Sequence, residues 1–165
     1  WRAPYLQSLM KLIETQSKVT LANWAIDYSE KILLPIWNKI YPKDLRPLNA
    51  ITAARDWLAG KIKLPQAKPI ILECHDAARK AEGSPAAQAA ARAIGQSAST
   101  IHSARHCLGL ALYGALAVAY DILGINASWE KIEQFAADEC VRMYNALKAV
   151  SIENEPNPAK IDWNC

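Results

Sequence analysis

The sequence predicts an all-α fold: a single-domain bundle of about six helices with an irregular C-terminal tail. The chain has 165 residues, a length that suits one domain with a buried core. Alanine occupies 29 positions and glycine only six, a composition that favours helices over strands. Apolar residues recur at helical spacing, and prolines and glycines separate the periodic segments. These observations predict a helical domain over residues 1–150 and a tail over residues 151–165.

The first three predicted helices occupy the N-terminal third of the chain. An amphipathic helix runs from Ala3 to Ser17 because its apolar residues share one face. The second runs from Thr20 to Ile40, and Pro35 is expected to kink its last turns. The third runs from Leu45 to Ala59, with Asp44 as its N-cap.

The remaining three predicted helices lead to the tail. The fourth runs from Pro65 to just before Gly83. The fifth is the longest and runs from Ala86 to Leu123, because only isolated glycines interrupt its helical pattern. The last runs from Trp129 to Val150. The tail is rich in proline and should lack regular structure, with Trp163 as its only strong anchor.

The charge balance indicates which partners the chain suits. Nineteen Lys and Arg residues against 16 Asp and Glu residues give a formal net charge of +3, too little for a dedicated nucleic-acid binding protein. The charges are unevenly placed. Residues 42–80 carry eight basic and four acidic side chains, whereas residues 121–165 carry eight acidic and four basic ones. This pattern fits either an ordinary solvated surface or a bipolar binding surface.

Cysteine usage and hydropathy predict a cytoplasmic protein with no membrane partner. The four cysteines form no C-x-x-C pair, which favours reduced structural thiols over disulfides. The most apolar stretch, Cys107 to Tyr120, is shorter than the roughly 20 residues that a membrane-spanning helix needs. It is therefore predicted to be a core helix. Other helices should cover it, and a homodimer is the alternative cover.

Polar side chains on the fifth predicted helix form the candidate site. At 100° per residue, Gln96, Ser99, Ser103 and His106 fall on one stripe with Arg92, and His102 lies beside it. His75 belongs to the preceding helix, and Asp44 and Arg46 lie at the start of the third. The candidate cluster comprises Asp44, Arg46, His75, Gln96, Ser99, His102, Ser103 and His106.

The histidines also raise the question of a metal. His102 and His106 have the i, i+4 spacing that lets two rings reach one ion, and His75 could supply a third ligand. The segment reads HSARH, however, and lacks the glutamate of the H-E-x-x-H motif. We therefore expect no cofactor, with a metal at His75, His102 and His106 as the alternative. Serine-hydrolase, Walker and Rossmann motifs are absent, so no catalytic residues are assigned.

Several segments together resemble a known family. They are DLRP with the following AARDW, then HDAAR, and finally GQSASTIHSARH. These segments resemble the immunity-protein-5-like family of bacterial polymorphic toxin systems, over about residues 20–122. The matching positions include Asp44, Arg46, Arg55, Trp57, His75, Gln96, His102 and His106.

The resemblance implies a non-catalytic protein that binds a cognate toxin and blocks it. The polar cluster keeps a second interpretation open, in which the chain is a small-ligand or metal-binding helical protein, or an enzyme, that uses His75, His102 and His106. A nucleic-acid partner is the weakest interpretation, because the basic segment contains no recognisable motif.

Overall fold

The computed structural model describes residues 3–163, which hold eight α-helices and no strand. This confirms the predicted all-α class. The helices are α1 (Pro4–Ile13), α2 (Lys18–Tyr28), α3 (Leu34–Ile40), α4 (Arg46–Leu58), α5 (Leu64–Lys80), α6 (Pro85–Ser99), α7 (Ala115–Leu123) and α8 (Trp129–Val150). Three short segments complete the fold: a π-helical turn at Ser29–Leu33, a 3₁₀ turn at Ala104–Cys107 and a second π-helical turn at Leu110–Gly114.

Helix α6 lies at the centre of the bundle. It packs against α3, α4, α5 and α7. Small side chains make this position possible, because most of its buried residues are alanines. Neighbouring helices can then approach its backbone closely from several sides. Helix α8 instead packs against α1, α2 and α7.

The second predicted helix is continuous, but Pro35 is accommodated by a π-helical turn. The N–H of Leu34 donates to the C=O of Ser29, five residues back, where a regular α-helix would use the residue four back. This wider turn precedes Pro35, which has no N–H to donate. The turn also carries buried Ser29, whose hydroxyl donates to the hydroxyl of Ser97 on α6 at 2.8 Å.

The prediction of one long fifth helix from Ala86 to Leu123 is wrong, because α6 ends at Ser99. The N–H groups of Thr100, Ile101 and His102 donate to carbonyls three residues back, so the helix tightens as it ends. The hydroxyl of Ser99 donates to the C=O of Gly95 at 2.7 Å, and that of Thr100 donates to another helical carbonyl. Such side-chain bonds compete with the helical ladder.

The apolar stretch after this break is a core segment. Ala104–Leu123 spans 20 residues with a mean hydropathy of 1.5, so length and composition alone would allow it to cross a membrane. The segment Cys107 to Tyr120 is by itself too short, as expected, but the apolar span extends beyond it to 20 residues. In the fold, 56% of its most apolar 18-residue stretch is buried. Leu110 is fully covered, Leu116 is half-buried and Leu112 is 43% exposed. The homodimer stays a prediction.

Buried thiols are also part of this core. Cys74, Cys107 and Cys140 are free and buried, as the sequence predicts, whereas Cys165 lies outside the described residues. Burial raises the pKa of all three thiols above the ordinary range, so they are un-ionised at neutral pH.

The tail is irregular from residue 151 to residue 163, but Trp163 is not its only anchor. Gln16, only 2% exposed, accepts from the N–H of Ile152 and donates to its C=O, at 2.7 and 3.2 Å. The backbone C=O of Gln16 accepts from the N–H of Ala159 at 2.8 Å. Trp163 adds a bond from its ring N–H to Glu14 at 2.6 Å. Two residues just beyond the end of α1 therefore hold both ends of the tail.

Substituting Gln16 by alanine should detach the start of the tail. We expect the free energy of unfolding to fall by about 1–3 kcal/mol, since a buried two-way amide contact is lost. Chemical denaturation would measure the loss, and hydrogen exchange should rise around Ile152. Gln134→Ala, which removes an exposed amide bonded to Asp138 on α8, is the matched control and should be near neutral. Unchanged exchange at Ile152 in Gln16→Ala would contradict this account.

Candidate functional site

A cavity of about 410 Å³ opens between α5, α6 and the second π-helical turn. Its lining residues, from here the α5–α6 cavity, are Leu72, His75, Arg79, Arg92, Gln96 and Tyr113. A smaller cavity of about 240 Å³ adjoins it and shares Gln96 and Tyr113. The second cavity also includes Arg105, His106, Asp162 and Trp163. The two cavities form one concave surface with histidines and arginines along it.

His75 is held in the wall of the cavity because residue 95 has no side chain. A Cβ at position 95 would lie 2.6 Å from Cε1 of His75, closer than real Cβ atoms approach. The Nε2 atom of His75 lies 3.5 Å from the hydroxyl of Ser99. That hydroxyl donates its proton to the C=O of Gly95, so it can only accept from His75. This contact favours the tautomer in which Nε2 of the neutral ring carries the proton.

Gln96 and His106 form the second polar pair. Nδ1 of His106 lies 2.8 Å from Oε1 of Gln96, and since an amide oxygen only accepts, Nδ1 carries the proton. Gly109 makes room for this pair, because a Cβ there would lie 2.5 Å from Cβ of Gln96. Two glycines that interrupt the apolar pattern thus admit two of the cavity's polar side chains.

Burial keeps both cavity histidines neutral near pH 7. Burial lowers the pKa of His75, and the charge of Arg79 lowers it further. The pKa of His106 is lowered by burial first, then by the charge of Arg105 and by the charges that His102 and His75 carry when protonated. Protonating either ring in the folded protein is therefore less favourable than in the unfolded chain.

Acidification should consequently destabilise the fold. Because the folded-state pKa values of His75 and His106 lie below their unfolded values, the unfolded chain binds more protons, and stability falls as the pH drops through about 6.5. Unfolding curves between about pH 7.5 and 5.5 would show this, above the range in which aspartates titrate. His106→Gln should reduce the slope.

His102→Gln is the comparison variant: it removes an exposed ring whose charge also lowers the pKa of His106, so it should reduce the slope by less than His106→Gln does. An equal slope in wild type and His106→Gln would contradict the assignment of this pH dependence to His106.

Asp44 and Arg46 belong to a different place on the surface. Nη2 of Arg46 lies 2.5 Å from Oδ2 of Asp44, and Nη1 lies 3.2 Å from Oδ2 of Asp76 on α5. Hydrogen bonds from Arg46 lower the pKa of Asp44. Asp44 precedes the N-cap residue Leu45, so its prediction as the N-cap is wrong, although its carboxylate accepts from the N–H of Arg46. This network fixes the DLRP turn onto α5, and neither residue lines the α5–α6 cavity.

The other predicted site residues are divided by the end of α6. Gln96 and Ser99 stay on α6, whereas Ser103 adopts an extended backbone after the helix ends and His102 is exposed. The single polar stripe predicted on one helix therefore does not form. Within residues 3–163, no group of three or more His, Cys, Asp or Glu side chains could hold a metal ion.

The structure adds Arg79 and Tyr113 to the site and brings Arg92, which the sequence places on the polar stripe, to the same cavity. Arg79 lies one helical turn after His75, so i, i+4 spacing could have predicted it. Nη2 of Arg79 lies 3.3 Å from Oδ1 of Asp76. The guanidinium of Arg92 lies 6.0 Å from the ring centre of Tyr113. Tyr113 had no local signal, because it comes from a distant helical segment.

Comparison with known proteins gives one match. Residues 11–146 match the family described as "Imm-5 like putative immunity protein". The match is wider than residues 20–122, the extent of the resemblance seen in the sequence, and it reaches into α1 and α8. The chain matches no curated protein and no solved structure. Because the family match covers most of the 165 residues, the chain belongs to the Imm-5 like immunity protein family.

Proposed function

We propose that this protein binds a cognate toxin in the bacterial cytoplasm and neutralises it by occupying its surface, without catalysis. The family match over residues 11–146 is the observation that carries this proposal. A protein of this kind needs a stable, preformed binding surface. The helical core supports such a surface, because its buried side-chain nitrogen and oxygen atoms all have hydrogen-bond partners in the described residues.

The distribution of charge supports a protein partner. The basic segment, residues 42–80, contains α4 and α5, which pack on each other and on α6. The acidic segment, residues 121–165, contains α8, which packs on α1, α2 and α7. Helix α8 thus has mainly other neighbours than α4 and α5, although the tail of the acidic segment reaches the concave surface beside α6. Regions of opposite charge steer a partner with complementary charge and fix its orientation.

Co-expression with the toxin encoded by the adjacent gene tests the proposal. Growth should be rescued by the cognate pair and not by an unrelated toxin of the same chemical activity. When purified protein is added to the purified toxin, toxin activity should be fully inhibited at a fixed molar ratio. The two proteins should also co-elute as a stable complex.

Stoichiometry separates a binding protein from an enzyme. An inhibitor that acts by occupancy must be present in amounts comparable to the toxin, whereas an enzyme would protect at far lower amounts. Absence of both a complex and growth rescue, or protection at strongly substoichiometric amounts, would overturn the proposed function.

A further inference from the structure

We propose that the α5–α6 cavity binds a small molecule that carries an oxyanion, either a phosphate or a carboxylate group. This inference goes beyond the proposed function, since it concerns a small ligand and not the toxin. It rests on three observations: the charge of the lining residues, the availability of their donors and the rigidity of the cavity wall.

The lining is cationic. Arg79 from α5 and Arg92 from α6 both line the cavity, and within residues 3–163 no carboxylate side chain does. Two guanidinium groups on neighbouring helices can each present a planar pair of N–H donors to one oxyanion. Gln96 and Tyr113 add an amide and a hydroxyl to the same surface.

The donors are available to a ligand. The guanidinium of Arg92 lies over the ring of Tyr113, 6.0 Å from the ring centre, and Arg92 is exposed to solvent. Arg79 contacts Asp76 through Nη2, and its side chain stays 66% exposed. Each guanidinium therefore keeps N–H groups that can turn toward a ligand in the cavity.

The wall is built to a fixed shape. His75 and Gln96 lie where Gly95 and Gly109 leave room, and any Cβ at either glycine would collide with them. Most lining residues stand on helices, which hold side chains more precisely than loops. A volume of about 410 Å³ is within the range of small-molecule sites.

In the adjoining cavity, a carboxylate of the chain itself lies among basic side chains. There the carboxylate of Asp162 from the tail shares a cavity with Arg105 and His106. The concave surface thus accommodates an acidic group at one end and presents two arginines at the other. Leu72 and the ring of Tyr113 supply an apolar contact, so the ligand should carry a small apolar body beside its oxyanion.

Calorimetric titration of the full chain with inorganic phosphate and with citrate tests the inference. Sodium chloride keeps the ionic strength constant throughout. We expect saturable binding of at least one anion, and comparison of the two identifies phosphate or carboxylate as the preferred group. Arg79→Gln and Arg92→Gln should each weaken binding about tenfold, because each removes a charged donor pair.

Lys148→Gln is the matched control, since it makes the same charge change at an exposed position on α8. It should alter affinity by less than about twofold because distant surface charges are screened. Circular dichroism and melting curves establish that each variant is folded. Absence of binding in the wild type, or equal weakening in Lys148→Gln, would overturn the inference.

The toxin complex provides the distinguishing result. If neither anion binds and Arg92→Gln weakens the toxin complex, the cavity is part of the protein interface. The small-ligand inference is then wrong, and the proposed function stands. If anions bind but no toxin complex forms, the proposed function fails alone.

Discussion

Replacing Gly109 by alanine should lower the free energy of unfolding by about 2–3 kcal/mol, net of the roughly 1 kcal/mol that alanine gains in helix propensity. The added methyl would lie 2.5 Å from Cβ and 2.6 Å from Cγ of Gln96. Because Cβ is attached directly to the α6 backbone, no rotation of Gln96 can relieve this overlap. The second π-helical turn and α6 must move apart, and chemical denaturation would measure the cost.

Gly83→Ala is the matched control for this substitution. A methyl group added at Gly83 would meet no atom within 4 Å, and its φ is not positive, so alanine there should be neutral or stabilise by up to about 1 kcal/mol. Combining Gly109→Ala with Gln96→Ala should not restore stability, because alanine keeps the Cβ that collides. Restoration in that double variant would show that the side chain of Gln96, and not the helix spacing, sets the constraint.

Replacing Gly95 by alanine should also lower the free energy of unfolding, by about 1–2 kcal/mol. In this case the collision is with the ring of His75, which a second substitution can remove. Here the methyl would lie 2.6 Å from Cε1 and 2.8 Å from Nδ1 of His75. In a His75→Ala background the same change no longer meets the ring and improves helix propensity. We therefore expect Gly95→Ala to change sign, from destabilising in the wild type to stabilising in His75→Ala.

A double-mutant cycle on unfolding free energies measures this sign change. The two substitutions should couple by about 2 kcal/mol, within the range for residues in direct contact. Gly109 should behave differently from Gly95. Gly95 makes room for the ring of His75, which can be removed by substitution, whereas Gly109 makes room for Cβ of Gln96, which any residue but glycine would keep. Additive effects of Gly95→Ala and His75→Ala would contradict the contact on which the cavity wall depends.

These substitutions also separate shape from charge in the α5–α6 cavity. Neither glycine change alters a cationic side chain, whereas Arg79→Gln and Arg92→Gln leave the two glycines in place. Loss of phosphate or citrate binding in a folded Gly95→Ala variant would therefore report on the position of His75. Binding that survives Gly95→Ala but not Arg92→Gln would assign recognition to the guanidinium groups.

Some parts of the candidate site could be predicted from the sequence and others could not. The sequence predicts His75 and Gln96 from their chemistry and helical position, and His106 from its chemistry, since its helix ends earlier than predicted; all three line the concave surface. The prediction that Asp44 and Arg46 join them is wrong, because Arg46 pairs with Asp76, the neighbour of His75 on α5, while His75 itself packs on α6. Adjacent positions on a helix point about 100° apart, and the sequence does not indicate which of them meets which neighbour.

Local signals in the sequence determined the helical class, several of the positions where helices begin and end, and the irregular tail. Gly60 and Gly124 follow helix ends with positive φ angles, which glycine adopts easily because it has no Cβ. Pro85 begins α6 because its ring fixes φ at a helical value, whatever surrounds it. Tertiary structure alone decided the break after Ser99, the contact of Gln16 with Ile152, and the packing of His75 and Gln96 against glycines. Those features depend on which helices become neighbours. Residues 136 positions apart, such as Gln16 and Ile152, then share a contact, and no local periodicity encodes that pairing.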